Sequence, residues 1–374
     1  MRKLIIILFL FISAIGYGQT LEITEGVDSI ITDYGGIDLS NTTEKIVWFR
    51  NSYLESAYTI GFMLQVGQDS YSSTYYGKRD SSEVYGNKFV WNGTSGGKHC
   101  IMAGYNKDYN IRYNYIDSLT YGVVHEGGDD VGDPTVNEYA PIMYNVFKDC
   151  RMGIMEKGHD GTVISNNTFY SSRSNALFFV FVKSSDTGGN DAVSKNIKIK
   201  NNIFYSTVNT THAIRLGTAD DDTEAEMDTV GFECDYNIYY YPNNTNHEPI
   251  FQFLESTYSW TEWRALGYDE HSVILDPDFA STETLIPTAR LDYGTNLGTG
   301  YDYGLATTAD WVVDSFVDTT QQNGTWQAGA YVFASGGSAS TETDILSFTL
   351  SEQTGEATIN ASNHTVDIEV AYGT

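Results

Sequence analysis

One short phrase recurs through this chain and limits what it can fold into: an Asn, one residue, then a bulky apolar or aromatic one. It reads GNKF at Asn87, YNYI at Asn114, YNVF at Asn145, NNTF at Asn167 (inside SNNTFY, Ser165–Tyr170), NNIF at Asn202 and YNIY at Asn237. Successive asparagines are 27, 31, 22, 35 and 35 residues apart. A spacing that never falls below about 20 residues but stretches freely above it belongs to stacked repeats carrying insertions. The phrases lie in β-branched and aromatic runs of alternating polarity, such as NIKIKNNIFY and GTVISNNTFY, which read as strands rather than helices. An Asn at one place in every repeat can bond to the Asn above and below, forming an internal ladder at a turn.

A second phrase begins 8 to 13 residues after each of the first five asparagines, with a small residue followed by an apolar one. It reads CIMAG from Cys100, GVVHEG from Gly122, GIMEKG from Gly153, ALFFVF from Ala176 and AIRLG from Ala213. Two phrases in a fixed order give at least five stacked coils. Over roughly Ile46–Phe333 the chain resembles the right-handed parallel β-helix of the pectate-lyase-like superfamily. The resemblance implies an all-β solenoid, and fold alone does not specify activity.

The chain opens with Met1, Arg2 and Lys3, the apolar run Leu4–Ile15, and Gly16-Tyr17-Gly18. A positive start, a short apolar region and small residues describe a secretory signal peptide, residues 1–18, cleaved near Gly18. The run is too short for a stable membrane span, and the lack of a nearby Cys argues against a lipoprotein anchor. The expected address is secreted or cell-surface, in a bacterium.

With 21 basic and 49 acidic residues the net charge is −28. Strong acidity opposes nucleic-acid binding, which needs basic phosphate contacts. It suits solubility, and it also suits divalent cations. Three cysteines, Cys100, Cys150 and Cys234, make no disulfide framework and no zinc spacing; they read as core thiols. The 28 tyrosines read as packing inside the coils and along the sheets, or as sugar platforms if they gather on one exposed face.

Residues 19–334 form the solenoid with its ends. Gln19–Glu44 has few strand signals and is expected to cap the N-terminal end. Lys45–Phe49 and Ile60–Val66 read as the first strands, and Gly67–Ser82 as a loop. Polar, acidic insertions leave at Gly127–Tyr139, Ser184–Ser194 and Thr218–Thr229, each after a second phrase. Leaving from one corner of successive coils, they would wall a groove. Ser259–Gly267 reads as a helix with Ser259 and Glu262 as a capping box and Gly267 at its end. LDPDF, ARLDYGTNLG and WQAGAYVF then resemble the closing segment of secreted bacterial β-helix proteins, expected to seal the C-terminal end. Ser335–Thr343 is a flexible linker. Residues 344–374 resemble the first half of an Ig-like surface repeat, an incomplete β-sandwich module too short to bury a core, so the chain reads as part of a longer polypeptide.

Stacking the second phrases places Val124, Met155, Phe178 and Arg215 in one column and Glu126, Lys157, Val180 and Gly217 in the next. Strands lie about 4.8 Å apart, so Glu126 and Lys157 are within reach. His125, Glu156, His159 and Asp160 are close by, and Asp129 and Asp130 leave from the same edge. EKGHDGTVISNNTF resembles the lysine segment of alginate and chondroitin lyases, although those families place an Arg in the following coil, where this chain has LFFVF. The resemblance implies β-elimination on a uronic-acid polysaccharide. Lys157 would be the base, with His159 and Arg215 as further catalytic residues. Arg215, or a calcium held by Glu126, Asp129 and Asp130, would neutralise the carboxylate. His125, Glu156 and Asp160 would contact substrate. Read without the resemblance, Glu126 and Lys157 are a solvated ladder pair on a sheet face. A glycosidase is not supported: GHD at Gly158 has no Asp-Asp companion. The expectation is a monomeric, secreted, carbohydrate-active protein, with a non-catalytic glycan-binding or spacer protein as the alternative.

Overall fold

The structure is a computed structural model and describes residues 20–24, 30–31, 37–38, 46–50, 53–56, 62–66, 81–93, 99–104, 109–126, 140–157, 161–180, 196–217, 231–254, 256–306, 318–321, 325–333, 358–360 and 365–367. It is all-β, apart from short helical turns, and is dominated by three long sheets. Sheet A has eight strands, from Thr20–Thr24 to Glu233–Asp235. Sheet B has nine, from Ile30–Ile31 to Val273–Ile274. Sheet C has nine, from Ile37–Asp38 to Ser256–Tyr258. The chain visits A, B and C in rotation, so each strand pairs with those of the previous and next repeats. These pairings are parallel except the last of sheet C, where Ile250–Phe253 meets Ser256–Tyr258 antiparallel.

The ladder asparagines explain the turn from A to B. All six are fully buried. The Asn145 main-chain N–H and Nδ2 both donate to Asn167 Oδ1, at 2.9 and 3.0 Å, and Asn145 Nδ2 also donates to Ile111 O at 2.9 Å. Asn87, Asn114, Asn167 and Asn202 repeat the pattern. A turn inside the protein would otherwise strand its main-chain groups, and the amide supplies the missing partners. The preceding residue is left-handed every time: Gly86, Tyr113, Tyr144, Asn166, Asn201 and Tyr236 have φ between 54° and 68°. That conformation costs non-glycine residues roughly 1–2 kcal/mol, so the ladder holds the chain in a bend it would not keep alone.

The three sheets share one core. Sheet A contributes Val84, Ile111, Ile142, Ile164 and Ile199; sheet B contributes Phe89, Ile116, Phe147, Phe169, Phe204 and Tyr239; sheet C contributes Ile101, Val123, Ile154, Leu177 and Ile214. Phe147, Phe169, Phe204 and Tyr239 stack face to face at 4.9–5.0 Å, the strand spacing itself. Gly122 and Gly153 sit where that stack meets sheet C; a Cβ on Gly122 would lie 2.6 Å from the Phe147 ring. Cys100, Cys150 and Cys234 are buried free thiols.

Two expectations change. The region before Glu44 supplies the first strand of all three sheets, Thr20–Thr24, Ile30–Ile31 and Ile37–Asp38, although its sequence carries few strand signals. Pairing with the next repeat compensates for weak local propensity. The closing segment also does more than cover one end. The sealing role falls to helix α1 (Trp260–Ala265), whose capping box between Ser259 and Glu262 is formed. Trp263 stacks on Phe251 at 4.4 Å and its indole donates to Asp269. The chain after α1 instead runs back along sheet B and the turn that leads into it, where Leu285, Leu305, Ala330 and Tyr331 pack with Tyr113 and Tyr144 of the turn and Tyr115 and Val146 of the sheet. Asn166 Nδ2 donates to Gln327 O at 2.7 Å, and Tyr115 OH to Glu283 O at 2.7 Å.

Asp269 ends the ladder. Its Oδ1 accepts from Asn237 Nδ2 and Ser272 Oγ, and its Oδ2 from Trp263 Nε1, Tyr239 OH and Cys234 Sγ. The chain divides into two units, Met1–Ala334 and Ser335–Thr374. In the second, Thr358–Asn360 pairs antiparallel with Thr365–Asp367; the expected linker Ser335–Thr343 lies outside the described residues. Among the described residues no helix is long and apolar enough to cross a membrane.

Candidate functional site

The columns expected from the second phrases are those of sheet C. Val124 pairs with Met155, Met155 with Phe178 and Phe178 with Arg215. Glu126, Lys157, Val180 and Gly217 align in the same way. These last four end their strands at one edge of sheet C; the acidic insertions Gly127–Tyr139, Ser184–Ser194 and Thr218–Thr229 lie outside the described residues. Asp129, Asp130, His159 and Asp160 lie outside the described residues, as do the side chains of Glu126 and Lys157.

His125 and Glu156 are brought together, and they are enclosed. They face each other across neighbouring strands, with Nδ1 2.8 Å from Oε2, and both side chains are 0% exposed. Strand alternation turns them inward beside Val123 and Ile154, while Val124 and Met155 face the other way. Thr162 donates its hydroxyl to Glu156 Oε1 at 2.9 Å. The carboxylate therefore holds the ends of two sheet C strands and the start of the next sheet A strand. Loss of the Glu156 carboxyl removes both of these contacts at once from a site without access to water.

Arg215 stands half-exposed on the strand His212–Gly217, where His212 and Arg215 are half-exposed and the other four residues buried. Pairing with Ile250–Phe253 shifts register between them. His212 Nδ1 lies 3.1 Å from Asn175 Oδ1. Burial and the Arg215 charge hold the His212 imidazole below its ordinary pKa of 6.5. The column of His212 runs back through Asn175, Met152, Tyr121 and His99, and the last two rings meet edge to face at 4.9 Å.

His212, Asn175 and Thr162 were not singled out from sequence. His212 precedes the small residue that opens its second phrase, a place held by His99, Tyr121, Met152 and Asn175 in the other repeats, and that column was readable. Thr162 was not readable, because its link to Glu156 crosses from one sheet to another. Among the described residues no group of three or more His, Cys, Asp or Glu side chains is arranged to hold a metal ion. No family model, no curated protein and no solved structure matches the chain.

Proposed function

We propose that the chain is a secreted, right-handed parallel β-helix that engages an acidic polysaccharide along the outer face of sheet C. In this reading residues 1–18 are a signal peptide, residues 19–334 the solenoid and residues 344–374 the start of an Ig-like surface repeat. The observation that supports it best is the alignment of the strand ends carrying the three acidic insertions, beside half-exposed His212 and Arg215. A polymer lying across successive strands meets a repeating surface at about 4.8 Å intervals, close to the length of one sugar. Lys157 and Arg215 supply cations for its carboxylates, and a calcium held by Glu126, Asp129 and Asp130 adds to them.

The catalytic form of this reading is β-elimination, with Lys157 as base and Arg215 as neutraliser. A second reading, glycan binding without cleavage, draws on the register. Lys157 and Arg215 are two strands and two residues apart, roughly 12 Å by strand geometry, with Phe178 and Val180 on the strand between. At that separation a polymer would meet the two positions at different subsites rather than at one sugar. Incubation with a panel of uronic-acid polymers, with and without calcium, tests both forms through absorbance of the unsaturated product and direct binding. Cleavage supports the lyase; binding alone supports the second reading. A protein that neither cleaves nor binds any of these polymers overturns the acidic-polysaccharide reading.

A further inference from the structure

If Arg215 and Lys157 serve different subsites, a base acting beside Arg215 has to come from nearer. The strand that carries Arg215 supplies one. Asn175 Nδ2 donates to Ser174 Oγ at 3.3 Å, which turns Asn175 Oδ1 toward the imidazole of His212, 3.1 Å away. An amide oxygen only accepts, so the hydrogen of that bond sits on His212 Nδ1. The lone pair is then on Nε2.

We propose that His212 is the base, and Arg215 the carboxylate-binding partner, of an elimination site on the outer face of sheet C, with Asn175 as the positioning residue. This rests on the acidic-polysaccharide reading above. Three features converge on it. Both residues are half-exposed on one strand whose other four residues are buried. Asn175 is buried, so the imidazole hangs from a fixed support rather than from a mobile loop. Burial and the neighbouring guanidinium keep His212 neutral near pH 7, the state in which it accepts a proton.

The step balances without a co-reactant. His212 Nε2 takes the proton from the sugar carbon next to the carboxylate. The electrons of that C–H bond form a double bond to the adjacent ring carbon as its bond to the glycosidic oxygen breaks. The departing oxygen keeps that electron pair and takes the proton back from His212 Nε2. Arg215 balances the negative charge that gathers on the carboxylate during the transfer.

The test uses the full chain and polymers of glucuronic, galacturonic, mannuronic and guluronic acid. It follows the unsaturated product for wild type, His212→Gln, Asn175→Asp and Lys157→Ala, with polymer binding and thermal midpoint measured on each. The expected result is a loss of at least about 100-fold in kcat for His212→Gln, with binding and midpoint close to wild type, and a smaller loss for Lys157→Ala. Asn175→Asp places a carboxylate against Nδ1, so the acid limb of the pH–rate profile moves to higher pH, a shift that a purely structural role would not produce. If wild type cleaves and His212→Gln keeps a third or more of the rate, the assignment to His212 is overturned while the polysaccharide reading stands. An unmoved acid limb in Asn175→Asp overturns the positioning role. If wild type cleaves none of the polymers, the elimination reading and the His212 base fall together.

Discussion

Asn167→Ala is the most direct probe of what holds the repeats together. Asn167 Oδ1 accepts from the main-chain N–H and from Nδ2 of Asn145, and its Nδ2 donates to Ile142 O at 2.8 Å and to Asn202 Oδ1 at 3.1 Å. Alanine removes all four bonds at a site with no access to water. Asn145 Nδ2 keeps Ile111 O, and Asn202 Oδ1 keeps the Asn167 main-chain N–H, so those two atoms stay partnered. The Asn145 N–H loses the bond described, while Ile142 O stays within a parallel ladder, and one buried unsatisfied group costs about 1–3 kcal/mol. The expected destabilisation is therefore about 1–3 kcal/mol, before any relief of the left-handed bend at Asn166. Urea unfolding followed by far-UV circular dichroism reads it, with exposed Lys198→Ala as a control expected within about 0.5 kcal/mol. A midpoint for Asn167→Ala no lower than the control's would refute the claim that the ladder satisfies otherwise stranded main-chain groups. Asn167→Asp separates acceptor from donor. It keeps an oxygen for Asn145 but faces Ile142 O with a second acceptor, so it is expected to destabilise as well.

Other consequences are as direct. Phe169→Ala opens the centre of the stack Phe147–Phe169–Phe204 and is expected to cost about 3–5 kcal/mol in the same unfolding assay. His271 lies 2.7 Å from Asp235, which raises its pKa above the ordinary 6.5. The pair therefore stabilises the fold fully below about pH 6.5 and loses that contribution as pH rises through the raised value. Imidazole NMR should show the high midpoint in wild type and its return toward 6.5 in Asp235→Asn. If Glu126, Asp129 and Asp130 hold calcium, millimolar calcium raises the thermal midpoint relative to chelator, and Asp129→Asn/Asp130→Asn removes the rise; an identical midpoint in both buffers counts against that site.

Sequence alone determined the repeat and its register. The Asn-x-apolar phrase marks the turn from sheet A to sheet B, and the second phrase marks sheet C, so the column Val124, Met155, Phe178 and Arg215 follows from the repeat alone. That much is legible because strand alternation and a buried polar turn impose the same residue type at the same place in every repeat. The helix capped by Ser259 and Glu262 is legible for a similar reason, since its signals lie within a few residues of one another. Tertiary structure decided which way the polar residues face and what they meet. His125 and Glu156 sit next to Glu126 and Lys157 in sequence, yet a step of one residue along a strand turns them into the interior. Thr162 reaches Glu156 only because sheet C hands the chain to sheet A there. His212 acquires its partner from Asn175, 37 residues earlier, and its altered acidity from burial and from Arg215. The segment after α1 packs beside sheet B instead of stopping at the end of the stack, and there Tyr115 and Tyr144 donate their hydroxyls to Glu283 O and Tyr301 O. Those contacts join residues far apart in the chain, and a local pattern carries no record of a partner that only folding brings near.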